Sequence, residues 1–250
     1  MAWLLDLDGV VWLANQPIPG SVEAIARLRA AGERVCFITN NSSQTVGDQE
    51  RKLVSMGIPA EGDVLTSAMA AAMLLQPGQT ALVCGGPGVD EALQHRGVTT
   101  VREGDADAVV VGFHLDFDYG RLKAAHAAVR SGARLIGTND DVTYPTPDGP
   151  IPGGGAILAA VVAASGVDAL IAGKPYPPMA ALVRELAGDG PHVVVGDRPS
   201  TDGLFAVTLG ATFALVLSGV TTAADLPVTP EPAEISTDLA ALVAARAPSA

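Results

Sequence analysis

Aromatic side chains are scarce in this sequence, with 5 Phe, 3 Tyr and 2 Trp among 250 residues, so a core has to be built mainly from Ala, Val and Leu. Cysteine is scarcer. Cys36 and Cys84 each sit inside an apolar stretch, which excludes a disulfide framework and favours buried free thiols over a single bridge. Positive charge is also short: 15 Lys and Arg face 27 Asp and Glu, for a formal net charge of −12. That is the wrong sign for a nucleic-acid partner or an anionic membrane surface, and an anionic substrate would need a local cation to overcome the global field. No apolar run reaches the roughly 18–20 residues a membrane-spanning helix requires. The N-terminus lacks the basic segment, apolar run and small-residue cleavage site of a secretory leader, so the expected location is cytoplasmic. The four histidines, His95, His114, His126 and His192, are scattered, and no His/Cys cluster suggests zinc.

What is present is alternation. Hydrophobic residues make up 48% of the chain, and short apolar runs alternate with helical patterns, the signature of a mostly parallel sheet covered by helices. Strands are expected at Ala2–Leu7, Arg34–Ile38 and near Val64, then at Ala81–Cys84, Ala108–Gly112, Arg134–Gly137, Ala169–Ala172, His192–Val195 and Thr212–Leu217. Helices are expected at Ser21–Ala31, Gln44–Met56, after a Ser67 cap, at Tyr119–Ser131, Gly153–Ser165, after Pro178, at Asp202–Gly210 and at Thr237–Ala245. Gly85-Gly86-Pro87-Gly88 reads as a turn; it lacks dinucleotide-loop spacing, and Pro87 removes an amide that a phosphate would use. The missing fingerprint also disfavours a nucleotide-binding oxidoreductase. Gly153-Gly154-Gly155 has no following Lys-Ser/Thr and is no phosphate loop.

Chemistry-bearing residues follow several of these strands. Asp6 and Asp8 end the first, Thr39-Asn40-Asn41-Ser42-Ser43 follows the second, Gly173-Lys174-Pro175 follows the strand near 170, and Gly196-Asp197-Arg198-Pro199-Ser200-Thr201-Asp202 follows His192–Val195. Ligands of open parallel sheets bind outside the carboxyl ends of strands. Taken singly, each group also reads as a turn, a helix cap or a solvated loop. Together, Asp6, Asp8 and Asp197 offer hard oxygen ligands suited to Mg²⁺, Lys174 adds a positive charge, and Thr39 with the amides near Asn40 lies where a helix begins and an anion is favoured. A metal, a lysine and N–H donors around one carboxylate describe phosphoryl transfer. One aspartate can act as nucleophile. The second, two residues on and facing the same side of an extended chain, can serve as general acid and base.

The motifs DLDGV at 6–10, TNNSS at 39–43, GKP at 173–175 and GDRPSTD at 196–202 resemble those of the haloacid dehalogenase superfamily, in the branch of nitrophenylphosphatase-like and phosphoglycolate-phosphatase-like enzymes. The likeness spans nearly the whole chain. It implies an α/β fold: a Rossmann-like parallel-sheet core at 1–78 and 173–250 with an inserted α/β cap at 79–172. It also implies Mg²⁺-dependent hydrolysis of small phosphomonoesters through an aspartyl-phosphate. On that resemblance Asp6 is the nucleophile and a metal ligand. Asp8 is the general acid/base and ligates through its backbone carbonyl. Thr39, Asn40 and Asn41 hold the substrate, Lys174 neutralises charge, Asp197 is a metal ligand, and Asp202 steers it or a metal-bound water. Ser200 stands where the branch commonly has an acidic residue, and Pro199 is also less usual; weaker metal affinity is the expected consequence at most.

Segment 137–155 is expected to face the substrate, with Asn139 and Asp140 bonding a polar leaving group. The expected partner is a small phosphorylated metabolite; the sequence does not give the oligomeric state, and the resemblance leaves room for a homodimer through the cap. Two alternatives stand beside hydrolysis: a phosphotransferase or mutase acting on sugar phosphates, and a non-catalytic phosphometabolite-binding protein.

Overall fold

The computed structural model describes residues 1–13, 16–144, 146 and 149–246. The chain divides into two compact units, one of residues 1–39, 49–65 and 183–250 and the other of residues 40–48 and 66–182.

The first unit is organised by a six-stranded sheet in the order Glu234–Ser236, Thr212–Val216, His192–Gly196, Ala2–Asp6, Arg34–Thr39, Val64–Thr66. Ala2–Asp6 lies centrally and pairs in parallel with both His192–Gly196 and Arg34–Thr39. A strand buried on both faces reads as a continuous apolar run, and Trp3, Leu4 and Leu5 are all buried to within 2% of full exclusion. The helix Val46–Ser55 is shorter than expected at its start. Thr45 caps it: its Oγ1 accepts from Asp48 N at 3.1 Å while Asp48 Oδ2 accepts from Thr45 N at 3.2 Å, a reciprocal box that satisfies two otherwise unpaired donors. The last expected helix runs Leu239–Arg246.

The second unit has a five-stranded parallel sheet ordered Leu170–Ile171, Arg134–Gly137, Ala108–Val111, Thr80–Cys84, Thr99–Val101. Its core combines Val109, Val111, Leu135, Leu158 and Val161 with small residues from the helix Tyr119–Arg130. Cys84 lies in this core and Cys36 in that of the first unit; both are free thiols.

Three local expectations change. Ser67 is not the cap of its helix. Thr66, still extended, accepts from Met69 N at 3.2 Å, and the Ser67 hydroxyl instead donates to the Asn40 carbonyl at 2.8 Å. Gly85–Gly88 is not simply a turn: Gly86 is the N-cap and Pro87 the first residue of the helix Pro87–His95, where proline's missing N–H costs nothing. Residues 199–203 form a π-type turn before the helix Leu204–Leu209. Two short edge strands, Thr99–Val101 and Glu234–Ser236, carry little apolar pattern and escape a reading based on apolar runs. No helix among the described residues is long and apolar enough to cross a membrane.

Candidate active site

In the first unit, sheet register brings the carboxyl ends of three strands level. Asp6 is opposite Ile38, and Leu5 is opposite Val195. Thr39 and Asp197 therefore leave the sheet beside the Asp6–Asp8 segment. Asp6, Asp197 and Asp202 each offer a carboxylate oxygen, and the three oxygens lie within 4.8 Å of one another. Asp6 is half-buried, while Asp197 and Asp202 are only 2% and 1% exposed. Buried carboxylates need compensation. Val220 N donates to Asp197 Oδ2 at 2.6 Å, and Arg198 N donates to Asp202 Oδ2 at 3.1 Å.

Glycines clear the space these groups occupy. A Cβ on Gly219 would fall 2.0 Å from Asp197 Oδ2, and one on Gly9, whose φ is +84°, would fall 2.5 Å from the same atom. A Cβ on Gly196 would meet Asp202 at 2.2 Å. Cradled oxygen donors of this kind suit a hard divalent cation, and the cluster fits one by its chemistry and spacing. Of the four expected metal ligands, three carboxylates come together. The Asp8 carboxylate is not in that group: its Oδ1 accepts from the Trp12 indole Nε1 at 2.9 Å. Thr39 is buried at the end of its strand, 3% exposed. Sequence reading missed Gly9, Gly196 and Gly219 as space-makers, together with Trp12. A signal for Gly219 was present, since Ser218-Gly219 follows the carboxyl end of Thr212–Val216, the strand next to His192–Gly196.

In the second unit, Asn40 organises Lys174. Asn40 Oδ1 accepts from Lys174 N at 2.8 Å, and its Nδ2 donates to Lys174 O at 3.0 Å and to Asp141 Oδ2 at 2.9 Å. Both amide hydrogens are thus engaged. The Asn40 carbonyl in turn accepts from Asn139 Nδ2 at 2.7 Å. Lys174 is 3% exposed. Asn41 Nδ2 donates to Tyr144 Oη at 3.3 Å, and Tyr144 stacks on Phe113 with ring centroids 4.7 Å apart. Asp140 accepts from the Tyr176 hydroxyl, which pushes the phenol up to about 12. The glycines of 85–88 are explained by close backbone approach: a Cβ on Gly88 would fall 2.0 Å from Gln44 O, and one on Gly86 2.5 Å from Ser43 O. Ser42 Oγ lies 2.9 Å from Thr138 Oγ1. Within the expected substrate-facing segment, residues 145, 147 and 148 lie outside the described residues.

Comparison with known proteins agrees with this chemistry. The family model described as haloacid dehalogenase-like hydrolase matches residues 3–99, and a related HAD-hydrolase-like model matches 171–242. A D-glycerol 3-phosphate phosphatase of Mycobacterium tuberculosis is 38% identical over 232 residues, which are 89% of this chain; the match spans 64% of that relative's length. An acid sugar phosphatase of Staphylococcus saprophyticus is 36% identical, with 88% of each chain covered. Among solved structures, a glycerol phosphate phosphatase from M. tuberculosis in complex with magnesium superposes with a TM-score of 0.90 at 35% identity, covering 96% of this chain and 75% of that one. The same phosphatase in complex with calcium superposes with a TM-score of 0.90 at 35% identity, covering 96% of this chain and 74% of that one.

Proposed function

The chain belongs to the haloacid dehalogenase-like hydrolases and is a phosphatase; from that premise we propose that it hydrolyses small phosphomonoesters, of the glycerol phosphate or sugar phosphate kind, through an aspartyl-phosphate on Asp6. The observation that carries the reading is the meeting of Asp6, Asp197 and Asp202 in a glycine-cleared cradle at the carboxyl ends of a parallel sheet. The substrate class follows the names of the relatives. Residues 79–172 are proposed as the cap, through which a homodimer could form, and 1–78 with 173–250 as the core.

In the first half-reaction an Asp6 carboxylate oxygen forms a bond to phosphorus as the bond to the leaving oxygen breaks. Asp8 gives that oxygen its proton, so the product departs as an alcohol. In the second, water attacks phosphorus, Asp8 takes its proton back, and the bond between Asp6 and phosphorus breaks to release inorganic phosphate. A divalent cation, Mg²⁺ in this reading, would be held by Asp6, Asp197 and the Asp8 carbonyl, with Asp202 ligating or steering, and would supply positive charge to the phosphoryl oxygens. Thr39 and the backbone amides of Asn40 and Asn41 are assigned to phosphoryl oxygens. Lys174 is assigned to charge neutralisation on the order of the motifs, and Asn139 and Asp140 to support of the leaving-group segment. The Asn40 side chain, engaged with Lys174 and Asp141, serves the lysine.

The test is Asp6→Asn. It should abolish phosphate release from p-nitrophenyl phosphate and glycerol 3-phosphate while the circular dichroism and melting profile stay those of the parent. More than a trace of turnover removes Asp6 as nucleophile. Transfer of the phosphoryl group to an added alcohol, with no free phosphate, would favour a transferase. No turnover of any ester by the parent would favour a binding protein.

A further inference from the structure

We propose that Ser218 is a positioning residue for the cation: its hydroxyl pins the peptide after Gly9 and so holds the turn that carries the Asp8 carbonyl in the form that receives a divalent ion. The inference rests on the reading of Asp6, Asp197 and the Asp8 carbonyl as ligands.

All of these residues belong to the first unit. Ser218 is half-buried just beyond the strand Thr212–Val216, and its Oγ donates to Gly9 O at 2.6 Å. Leu217 N, donating to Ser236 O at 3.0 Å, ties the base of the loop to the next strand. The residues that follow Ser218 turn to the other segment of the cluster. Val220 N donates to Asp197 Oδ2 at 2.6 Å, and Thr221 N donates to Asp197 O at 3.3 Å. The stretch 218–221 thus bonds both the Asp8–Gly9 turn and Asp197. The two loops are also in close contact: a Cβ on Gly9 would fall 3.0 Å from Gly219 Cα.

Gly9 is the weak point of the turn. Its φ is +84°, and glycine populates either sign of φ about as readily, so the residue does not hold this conformation by itself. The peptides on its two sides must hold it. The one before consists of the Asp8 carbonyl and the Gly9 N–H, and that N–H donates to Trp12 O at 2.7 Å. The one after consists of the Gly9 carbonyl and the Val10 N–H. Its N–H reaches Leu7 O only at 3.4 Å, longer than an ordinary hydrogen bond, while its oxygen takes the short bond from Ser218. Without the hydroxyl this second peptide is loosely held, and the glycine can rotate. A cation then binds well only the fraction of molecules with the turn in place, and its apparent dissociation constant rises as the inverse of that fraction. A neutral hydrogen bond shifts such a fraction by about threefold to tenfold.

Ser218→Ala removes the donor, and Ser218→Cys leaves a weak one. The full chain is titrated with Mg²⁺ by calorimetry, without substrate and well below its melting temperature. The Kd should be about threefold to tenfold higher for Ser218→Ala, with Ser218→Cys between it and the parent. In phosphate release from p-nitrophenyl phosphate, the Mg²⁺ midpoint should rise by the same factor while kcat at saturating Mg²⁺ stays close to that of the parent. Thr208→Ala is the control. Its hydroxyl donates to Leu204 O at 3.0 Å on an exposed helix, so the variant loses a comparable bond and should leave the Mg²⁺ Kd unchanged. An unchanged Kd in folded Ser218→Ala, or an equal rise in Thr208→Ala, would overturn the inference and leave Ser218 a structural serine, with the cation reading intact. No Mg²⁺ binding by the parent would instead overturn the cation reading and this inference with it.

Discussion

Gly219→Ala is the sharpest structural probe of the carboxylate cradle. The added methyl carbon would lie 2.0 Å from Asp197 Oδ2, 2.5 Å from its Cγ and 2.7 Å from its Cβ. Carbon and oxygen do not approach so closely, so the carboxylate or the loop must move by about an ångström. Neither is loose: Val220, the next residue, donates its N–H to that same Oδ2 at 2.6 Å. Displacement stretches or breaks a hydrogen bond to a charged group, worth about 1.5–3 kcal/mol, and overpacking of a buried position adds a cost of about 1–3 kcal/mol. With relaxation sharing the strain, a total of about 2–3 kcal/mol is expected, a fall in Tm of roughly 4–12 °C for a chain of this length. Moving the Asp197 carboxylate also disturbs the group of three oxygens that now lies within 4.8 Å. The Mg²⁺ concentration for half-maximal activity should rise about tenfold to a hundredfold, the equivalent of about 1.4–2.8 kcal/mol. The assay is p-nitrophenyl phosphate hydrolysis titrated with Mg²⁺, alongside a thermal melt in EDTA. Gly32→Ala is the control, since Gly32 has φ +78° and nothing within 4 Å of the added carbon; it should lose about 1–2 kcal/mol to backbone strain without altering the metal response. An unchanged Mg²⁺ midpoint in folded Gly219→Ala would refute the placement of a cation at Asp197.

Asn40→Ala removes the side-chain bonds to Lys174 N, Lys174 O and Asp141; kcat should fall tenfold or more with the Mg²⁺ midpoint little changed, read from the same titration. EDTA should abolish turnover and added Mg²⁺ should restore it, as followed by phosphate release. Burial pushes the Cys84 thiol up to about 11, so the folded protein should react only slowly with a thiol-specific disulfide reagent at neutral pH, and quickly in denaturant. Because that value is raised, the contribution of Cys84 to stability is fully present below the unfolded thiol's value near 9 and is lost as pH rises through about 11; denaturant melts from pH 8 to 11 should decline more steeply for the parent than for Cys84→Ala.

Much of the fold was legible because parallel strands are buried on both faces. Trp3-Leu4-Leu5 and His192–Val195 announce themselves as apolar runs, and the polar residues that end them stand out by contrast. Edge strands lack that contrast. Glu234-Ile235-Ser236 and Thr99-Thr100-Val101 are strands through pairing on one side, and pairing partners are set by tertiary structure. The cap of the helix Ser67–Ala72 was misplaced by one residue because Thr66 and Ser67 are equally good by composition. What decides is that Thr66 remains extended while Ser67 is already helical and bonds the Asn40 carbonyl. The aspartates of the candidate site were visible as residue types, but the orientation of Asp8 toward Trp12, four residues on, was not. That orientation depends on a loop closed by backbone bonds from Gly9 and Trp12.

The site poses an electrostatic problem that its surroundings answer in part. Two carboxylates about 4.8 Å apart repel by roughly 3 kcal/mol at an effective dielectric constant near 20, and here three are grouped in a protein of net charge −12. The Val220 and Arg198 amides each stabilise one of them, but an amide offers a partial charge where a cation offers a whole one. The remaining repulsion is borne by the sheet. Asp6 is fixed at the end of a central strand paired on both sides, and Asp197 leaves the neighbouring strand, which is itself paired on both sides. The backbone at neither residue can retreat without disturbing a buried ladder. Glycines at 9, 196 and 219 then let backbone close over the carboxylates from several directions, which fixes the oxygens before any cation arrives. Binding a cation to oxygens already in place avoids the cost of ordering them, and the stored repulsion becomes affinity for positive charge. On the proposed reading, the same excess of negative charge that would turn a phosphate away from the protein at large would hold, at this one point, a cation that offsets it.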